Sequence, residues 1–279
     1  RLSIAVVGRP NAGKSSLVNK LLRDDRMIVD DVAGTTRDAI DSTLEHNGRP
    51  FLLIDTAGLR KKSHVKQDLE YFFNLRAIKS IERCDVCVVV IDAAKGIGVQ
   101  DLRIVAKAFA LRKGVLLAWN KWDLVEKKHD TFDTLVAETR RRFLELRHVP
   151  MVAISALTGR RVTTVLDKAT EIHEKMAVRV ASAEFEDNVF AWVRAHPHPA
   201  IPTDPVRFLG ARQVPAPFPC FHFFTTNPKG IAPAYVRFLT NKIYETYEFD
   251  GCPIVLEFRA AKKARHHHPP RQGTTMEHP

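Results

Sequence analysis

The first 175 residues of this 279-residue chain alternate between two patterns, and this alternation constrains the fold more than any other feature. Short aliphatic and β-branched runs are separated by longer segments whose apolar residues recur at helical spacing. Strands that are apolar on both faces are typical of parallel sheets covered by helices. The pattern therefore predicts a three-layer, doubly wound α/β domain over residues 1–176.

The predicted strands are Leu2–Val7, Phe51–Ile54, Val86–Ile91, Val115–Trp119 and Met151–Ile154. The predicted helices are Lys14–Leu22, Asp68–Ile81, Gln100–Leu111, Phe132–Leu146 and Val162–Lys175. Ala39–Glu45 also alternates like a strand, and only the short segment His46–Pro50 separates it from the next predicted strand. We therefore expect a hairpin that adds one antiparallel strand to a mostly parallel sheet.

A second, smaller α/β domain is predicted at residues 177–259. Seven prolines lie between Pro197 and Pro219, which excludes a long helix there. The predicted elements around them run helix–strand–strand–helix–strand, at Phe185–Ala195, Val206–Arg212, Phe218–Thr225, Ala234–Tyr247 and Ile254–Phe258. Residues 260–279 are basic and rich in histidine and proline, so we expect a disordered tail.

The formal net charge of +11 is unevenly distributed along the chain. Residues 1–175 carry 31 basic and 23 acidic side chains, a net charge of +8, and residues 259–279 carry five and one, a net charge of +4. Residues 176–258 carry seven and eight, a net charge of −1. The excess favours a polyanionic partner, and it lies outside the second domain.

Composition also excludes some classes of protein. No apolar run approaches the about 18 residues of a membrane helix, so we expect no membrane association. Four cysteines are too few for a disulfide framework, so we expect no disulfide partner and a cytoplasmic location. Cys84 and Cys87 have C-x-x-C spacing but lead into a buried strand without a second pair, and we interpret them as structural rather than zinc-binding.

A phosphate-binding loop is predicted where the first strand meets the first helix. The chain there has the spacing G-x4-G-K-[ST], in the strand–loop–helix context that the motif requires. Glycines in such a loop turn backbone N–H groups towards phosphate, and the helix N-terminus adds a favourable dipole. Lys14 would contact the β- and γ-phosphates, and the Ser15 hydroxyl would hold Mg²⁺. The predicted residues are Gly8, Arg9, Pro10, Asn11, Ala12, Gly13, Lys14, Ser15 and Ser16.

Three further polar loops follow predicted strands, at the edge where open α/β sheets bind ligands. The Asp55 carboxylate can reach Mg²⁺ through water, and the Gly58 amide can approach a γ-phosphate. The Asp123 carboxylate can accept hydrogen bonds from guanine N1–H and N2–H₂, a pair of donors that adenine lacks, and Ser155–Leu157 can offer a backbone N–H to guanine O6. The predicted residues are Asp55, Thr56, Ala57, Gly58, Leu59, Asn120, Lys121, Trp122, Asp123, Ser155 and Ala156.

With these four loops in this order, the chain resembles the P-loop GTPases. The resemblance implies GTP and GDP as ligands, Mg²⁺ as cofactor, and hydrolysis of GTP. Residues 34–38 read G-T-T-R-D, similar to the first switch of relatives, which implies that Thr36 rather than Thr35 contacts Mg²⁺ and the γ-phosphate. Switch loops are then expected at residues 30–38 and 59–67. The resemblance implies catalytic roles for Lys14, Thr36 and Gly58.

Leu59 stands where many of these GTPases have a glutamine that orients the attacking water, so catalysis must use another group. GTPases that share the G-R-P-N-x-G-K-S loop and the G-T-T-R-D switch resemble a group in which the loop asparagine coordinates K⁺. The resemblance implies that Asn11 holds a potassium ion against the phosphates. We expect slow, K⁺-stimulated turnover.

Longer strings narrow the resemblance to the Der (EngA) family of bacterial GTPases. The strings similar to the second GTPase domain of that family are Arg60–Val65, Glu70–Phe72, Leu75–Ala77, Asp101–Arg103 and Asn120–Asp123. The strings similar to its C-terminal KH-like domain are Asn227–Pro228, Tyr235–Leu239, Gly251–Ile254 and Glu257–Arg259. The resemblance implies a role in ribosome biogenesis, with the large ribosomal subunit and rRNA as partners.

Two alternatives remain open. The Era family, which acts in small-subunit assembly, has one GTPase and one KH domain, as this chain would, but residues 176–279 lack the G-x-x-G loop of typical KH domains. A GTP-regulated protein-binding module is the other alternative. Because Der carries two GTPase domains and this chain one, we expect the sequence to be part of a longer protein that lacks its first GTPase domain here.

Overall fold

The computed structural model describes residues 1–24, 31–33, 40–60, 69–128, 130–199 and 205–261. Several predicted features lie outside these residues, namely the switch threonines Thr35 and Thr36, residues 61–67 of the second predicted switch loop, and most of the tail. Among the residues that are described, none of the helices has the length and hydrophobicity of a membrane span.

The N-terminal part is an α/β domain built on a seven-stranded sheet with the strand order β2-β3-β4-β1-β5-β6-β7. The five strands from β4 to β7 in that order are parallel, and β2 and β3 are antiparallel additions at one edge. This confirms the predicted fold. The strands are β1 (Leu2–Val7), β2 (Asp31–Ala33), β3 (Ile40–His46), β4 (Arg49–Ile54), β5 (Val86–Asp92), β6 (Gly114–Asn120) and β7 (Met151–Ala153).

Helices cover both faces of this sheet because alternate strand residues are apolar on each side. Val86, Val88 and Val90 of β5 pack with one core, whereas Cys87 and Val89 pack with the other. The first core receives helices α1 and α6, and the second receives α3 and α4. The helices are α1 (Lys14–Asp24), α2 (Thr56–Arg60), α3 (Leu69–Arg83), α4 (Val99–Ala110), α5 (Thr131–Arg142) and α6 (Thr164–Met176).

Three local predictions in this part were wrong. Residues 31–33 form β2, although the surrounding segment has no regular pattern. Thr56–Arg60 form α2, so the stretch expected as an open loop after Asp55 is helical. Helix α5 ends at Arg142 rather than Leu146, because Phe143 adopts an extended conformation and a short 3-10 turn follows it.

The C-terminal part is a three-stranded sheet with two helices on one face. The strand order is β10-β9-β8, with β8 antiparallel and β10 parallel to β9. Phe221 and Phe223 of β9 are buried beneath the helices, in the predicted strand at Phe218–Thr225. The elements follow the predicted order as α7 (Ser182–Ala195), β8 (Phe208–Val214), β9 (Cys220–Thr225), α8 (Pro233–Tyr247) and β10 (Val255–Ala260).

Backbone hydrogen bonds join the two parts at Gly251. Its N–H donates to His148 O at 2.7 Å, and its carbonyl accepts from the Val115 N–H of β6 at 2.8 Å. The His148 ring stacks on Tyr244 of α8 with centroids 4.3 Å apart. Gly251 has φ +79°, and a Cβ there would lie 2.9 Å from Ile172 of α6, so this close contact requires glycine.

Candidate nucleotide-binding site

The predicted phosphate loop lies between β1 and α1 and curls around the side chain of Lys14. Lys14 Nζ donates a hydrogen bond to the Arg9 carbonyl oxygen at 2.7 Å, which closes the loop. Asn11 has φ +62° and is exposed at the loop tip. Ser15 and Ser16 are also exposed, in the first turn of α1. The loop therefore presents its hydroxyls and backbone at the N-terminal end of a helix, where anions are favoured.

Both glycines of the loop are required by close backbone packing. Gly8 has φ +145°, and a Cβ there would lie 2.4 Å from the carbonyl oxygen of Val90 in β5. Gly13 has φ +97°, and a Cβ there would lie 2.1 Å from Asn120 Nδ2. Neither contact leaves room for a side chain, so the loop lies directly against the carboxyl ends of two strands.

The Asn120 side chain connects three predicted loops. Its Nδ2 donates to the Ala12 carbonyl oxygen in the phosphate loop at 2.8 Å. Its Oδ1 accepts from the Ala156 N–H at 2.9 Å. Asn120 is 2% exposed, so both hydrogen bonds are shielded from water. Since the Ala156 N–H is donated to Asn120, a backbone donor for guanine O6 would come from the exposed Leu157.

Lys121 and Asp123 are positioned by carboxylate and hydroxyl partners. Lys121 adopts a left-handed conformation, with φ +62°, and its Nζ contacts the buried Asp92 carboxylate at 2.7 Å. Burial opposes ionisation of Asp92, but the hydrogen bonds from Lys121 and the Ala94 N–H outweigh it and lower the pKa of Asp92. The Ser155 hydroxyl donates to Asp123 Oδ1 at 2.6 Å. The guanine-specific aspartate predicted from the sequence is therefore held in place by the fourth loop.

A cleft of about 640 Å³ opens beside Asp123 and Ser155. Trp122 forms one wall and packs edge-to-face on Phe132, with ring centroids 5.5 Å apart. Four cations also line the cleft, at Lys127, Lys128, Arg160 and Arg161. An aromatic wall, a carboxylate and a hydroxyl in one cleft suit a purine base.

Asp101 of α4 contacts the phosphate loop through Arg9 and was not predicted as a site residue. Its buried Oδ2 forms an ion pair with Arg9 Nε at 2.8 Å and accepts a hydrogen bond from the Gly98 N–H at 2.9 Å. Arg9 also donates to the Gly96 carbonyl oxygen. Burial raises the pKa of Asp101 against the opposing effects of Gly98 and Arg9. An acidic residue at the third position of a helix was the signal that the sequence offered, because such a residue often caps the helix, as Asp101 does in α4.

Asp55 lies at the end of β4, as predicted, but its carboxylate is paired with an arginine. Arg76 of α3 binds it through both oxygens, at 2.6 Å and 2.8 Å. The Asp55 N–H donates to Asp41, and Asp41 in turn pairs with Arg83. A Mg²⁺ ion at this position would therefore compete with the Arg76 guanidinium for the Asp55 carboxylate, or share the carboxylate with it.

The remaining predicted residues after Asp55 differ in their surroundings. Thr56 is fully buried, and its hydroxyl lies 2.7 Å from Ser42 Oγ, so this side chain faces the domain interior. Leu59 is partly buried against the first core. Ala57 and Gly58 lie in α2 with them. A role for Thr56 in nucleotide binding stays a prediction, and it would have to use the backbone because the side chain is buried.

The Lys14 ammonium provides a test of the phosphate site. Burial lowers the pKa of Lys14 to about 8, while the Asp101 carboxylate acts in the opposite direction. Bound phosphates would raise this pKa again, because a nearby anion favours the charged amine.

We expect GDP binding to take up a proton at alkaline pH. Below about pH 7 Lys14 is protonated with or without nucleotide, so its protonation does not affect binding. As the pH rises through about 8 the free protein loses this proton, and the affinity for GDP should fall by up to about tenfold per pH unit.

Titration calorimetry at pH 8.5 in buffers of different ionisation enthalpy measures the proton uptake on GDP binding. In Lys14→Arg, which stays charged, the uptake should vanish; uptake that persists there contradicts the assignment.

The fold and these loops define a P-loop nucleotide-binding domain followed by a small α/β domain, and family models match both parts. A model described as 50S ribosome-binding GTPase matches residues 3–121. A model described as the C-terminal KH-domain-like region of EngA bacterial GTPase enzymes matches residues 179–259.

The chain is also similar to individual proteins and to a solved structure. GTPase Der of Flavobacterium psychrophilum is 42% identical over 257 residues, which cover 91% of this chain and 58% of that protein. GTPase Der of Clostridium botulinum is 41% identical over 263 residues, covering 94% and 60%. A solved structure of Era with MgGDPNP and a 16S ribosomal RNA fragment aligns over 92% of this chain and 91% of that one, with 23% identity and a TM-score of 0.46.

The chain belongs to the Der (EngA) family of GTPases. It spans about three fifths of the length of the Der relatives it matches. The C-terminal family model is that of EngA, so the Era-like alternative lacks the support that the Der assignment has.

Proposed function

We propose that this chain binds GTP, hydrolyses it to GDP and phosphate, and acts as a nucleotide-controlled switch in ribosome assembly. The observation that carries the proposal is the Asn120 side chain, whose two hydrogen bonds bring the phosphate loop and the Ser155–Leu157 loop to one edge of the sheet. Asp123 lies beside them, bonded to Ser155. A phosphate site and a guanine-reading carboxylate thus share one edge.

Each part of the site has a distinct task in this proposal. The backbone of Gly8–Ser15 surrounds the phosphates, and Lys14 supplies a cation to the β- and γ-oxygens. Asp123 selects guanine through the base N1–H and N2–H₂. Asn120 contributes by holding the two loops at a fixed separation, so the phosphate and base sites need little rearrangement when nucleotide binds.

Mg²⁺ fits the donor set at the phosphate edge. The Ser15 hydroxyl is a hard oxygen ligand, the type that Mg²⁺ prefers, and the Asp55 carboxylate, which is paired with Arg76, would reach the ion through water. Ser15 is exposed at the start of α1, and Asp55 ends β4. Thr36 would be the third ligand, but it lies outside the described residues. When bound, the ion offsets negative charge on the β- and γ-phosphates.

Guanine selection tests the proposal directly. In Asp123→Asn, an amide replaces the carboxylate that accepts from N1–H and N2–H₂, so GTP affinity should fall at least about tenfold, since hydrogen bonds to a charged group contribute about 1.5–3 kcal/mol each. Xanthosine triphosphate, with a carbonyl in place of the 2-amino group, should then bind better than GTP. Competition with a fluorescent GDP analogue measures both affinities.

Asp133→Asn is the matched control, because Asp133 lines the same cleft on α5. It should leave the preference for GTP unchanged. Unaltered GTP affinity in Asp123→Asn would remove Asp123 from the site.

Turnover is proposed to be slow and stimulated by K⁺. Leu59 is apolar and cannot orient a water molecule, so the isolated chain should turn over below about 1 s⁻¹. Asn11 is exposed at the tip of the phosphate loop, where its side-chain oxygen could hold a monovalent cation. Such a cation would offset charge that develops on the phosphates.

We expect faster GTP hydrolysis in K⁺ than in Na⁺ buffer of the same ionic strength. Phosphate release at saturating GTP measures both rates. Asn11→Ala should bring the K⁺ rate down to the Na⁺ rate. Equal rates in the two buffers for the unaltered chain would refute a role for potassium.

The proposed partner is the large ribosomal subunit and its rRNA, in the cytoplasm. Net positive charge lies on residues 1–175 and 259–279, whereas residues 176–258 are close to neutral. The KH-like domain is therefore a poor independent RNA clamp, and we propose that the GTPase domain contributes most of the electrostatic attraction.

Co-sedimentation with purified large subunits tests this partner. Binding should be stronger with a non-hydrolysable GTP analogue than with GDP, and it should weaken as salt rises because counterions are released from RNA. Small subunits serve as the control. Absence of nucleotide-dependent binding would favour the protein-partner alternative while leaving the GTPase assignment intact.

A further inference from the structure

The three-stranded sheet of the C-terminal part has a second face, on the side opposite its helices. Side chains alternate along β9, so Phe221 and Phe223 point to the helices, whereas Cys220 and His222 point to the opposite face. Glu257 of β10 lies directly opposite His222 in the parallel register. The fold thus places three side chains with metal-binding atoms on one patch.

The three side chains are close enough to share one ion. The Cys220 thiol, a ring nitrogen of His222 and a carboxylate oxygen of Glu257 all lie within 4.8 Å of one another. His222 Nε2 is 3.1 Å from Glu257 Oε2. No other group of three or more His, Cys, Asp or Glu side chains in the described part of the chain has this geometry.

The three side chains of the cluster differ in how much of their surface is exposed to solvent. Cys220 is 5% exposed, and the His222 side chain is 12% exposed. A cleft of about 350 Å³ borders the cluster, with His222, Phe224, Arg212 and Arg259 in its lining. A ligand held by the three side chains would therefore be reachable by solvent from the cleft side.

The donor types select among metal ions. A thiolate, an imidazole and a carboxylate together suit zinc, whereas Mg²⁺ and Ca²⁺ prefer oxygen alone. Three protein ligands with solvent access in the fourth position form an open zinc site. Arg259 donates to Glu257 Oε2 from Nε at 3.2 Å and from Nη2 at 2.6 Å, and such outer contacts orient a ligating carboxylate.

We propose that Cys220, His222 and Glu257 bind a Zn²⁺ ion on the face of the C-terminal sheet opposite its helices, with the fourth coordination position directed to the cleft. This site goes beyond the proposed GTPase function and is independent of it.

The C-x-x-C pair is a less suitable metal site. Cys84 and Cys87 are both enclosed in the second core, and Cys84 donates to the Ile81 carbonyl oxygen.

Cobalt substitution tests the proposal on the full chain. Co²⁺ reports a thiolate ligand through an intense near-ultraviolet charge-transfer band, which imidazole and carboxylate ligands do not give. One equivalent of Co²⁺ should produce this band, and one equivalent of Zn²⁺ should abolish it. The consecutive histidines His266–His268 can also hold Co²⁺, but without a thiolate they leave the band absent.

Matched variants assign the ligands. Cys220→Ser should lose the band, and His222→Ala and Glu257→Gln should each weaken Zn²⁺ binding more than about 100-fold, beyond the about 10–100-fold that is typical for the loss of an outer-sphere contact. Cys84→Ala, which removes a different buried cysteine, should keep the band. Circular dichroism and GDP binding should be unchanged in the Glu257→Gln variant, since Glu257 is partly exposed and remote from the phosphate loop in sequence.

Three results would overturn the site. One is the absence of the band in the unaltered chain, the second is its persistence in Cys220→Ser, and the third is its loss in Cys84→Ala, which would assign the metal to the C-x-x-C pair. If Cys220→Ser fails to fold, full-affinity Zn²⁺ binding by Glu257→Gln and His222→Ala would serve as the contradicting outcome.

Discussion

The geometry of the candidate site depends on one buried side-chain amide. Asn120 donates to the phosphate loop and accepts from the Ser155–Leu157 loop, and the Nδ2 end of the amide occupies the space that a side chain at Gly13 would need. Loops at the edge of a sheet are otherwise free to move apart, because nothing in the sheet hydrogen bonding fixes them. A residue of another shape at position 120 would leave a buried carbonyl and a buried N–H without partners.

Carboxylates hold the cations around this amide in position. Asp92 pairs with Lys121, and Asp101 pairs with Arg9 beneath the phosphate loop. Both carboxylates are buried, so each pair carries a desolvation cost. At Asp92 the hydrogen bonds from Lys121 and the Ala94 N–H outweigh this cost, whereas at Asp101 the hydrogen bond from the Gly98 N–H offsets it only in part. The result is a fixed arrangement of positive groups before any anion arrives, which lowers the reorganisation required on binding.

The strands and most helices could be predicted because their signals are local. Val86–Ile91 is apolar throughout, and the glycine loop before Lys14 has fixed spacing, so both patterns are visible without tertiary context. The three-residue strand β2 is too short to carry a pattern, and its only support is pairing with β3. Helix α2 follows Asp55 within a stretch rich in small residues, where local propensity does not separate helix from loop.

Side-chain partners were much harder to predict than the motifs themselves. Asp55 was expected from its motif, but Arg76 lies 21 residues later and reaches it only because α3 packs on the sheet against β1, the neighbour of β4. The same applies to Cys220 and Glu257, which parallel pairing of β9 and β10 brings together across a helix. Such contacts depend on tertiary packing, which cannot be read from a single sequence.

Strand β6 links the two parts of the molecule in a way that affects how they unfold. It begins beside Gly251, whose carbonyl accepts the Val115 N–H, and it ends at Asn120, about 20 Å away for a strand of seven residues. The apolar core beneath it runs without interruption from α6 into the C-terminal helices. Detaching the C-terminal sheet would expose that core, so we expect both parts to melt in a single cooperative transition. A ligand bound at the carboxyl end of β6 should then protect the distant sheet against unfolding as well.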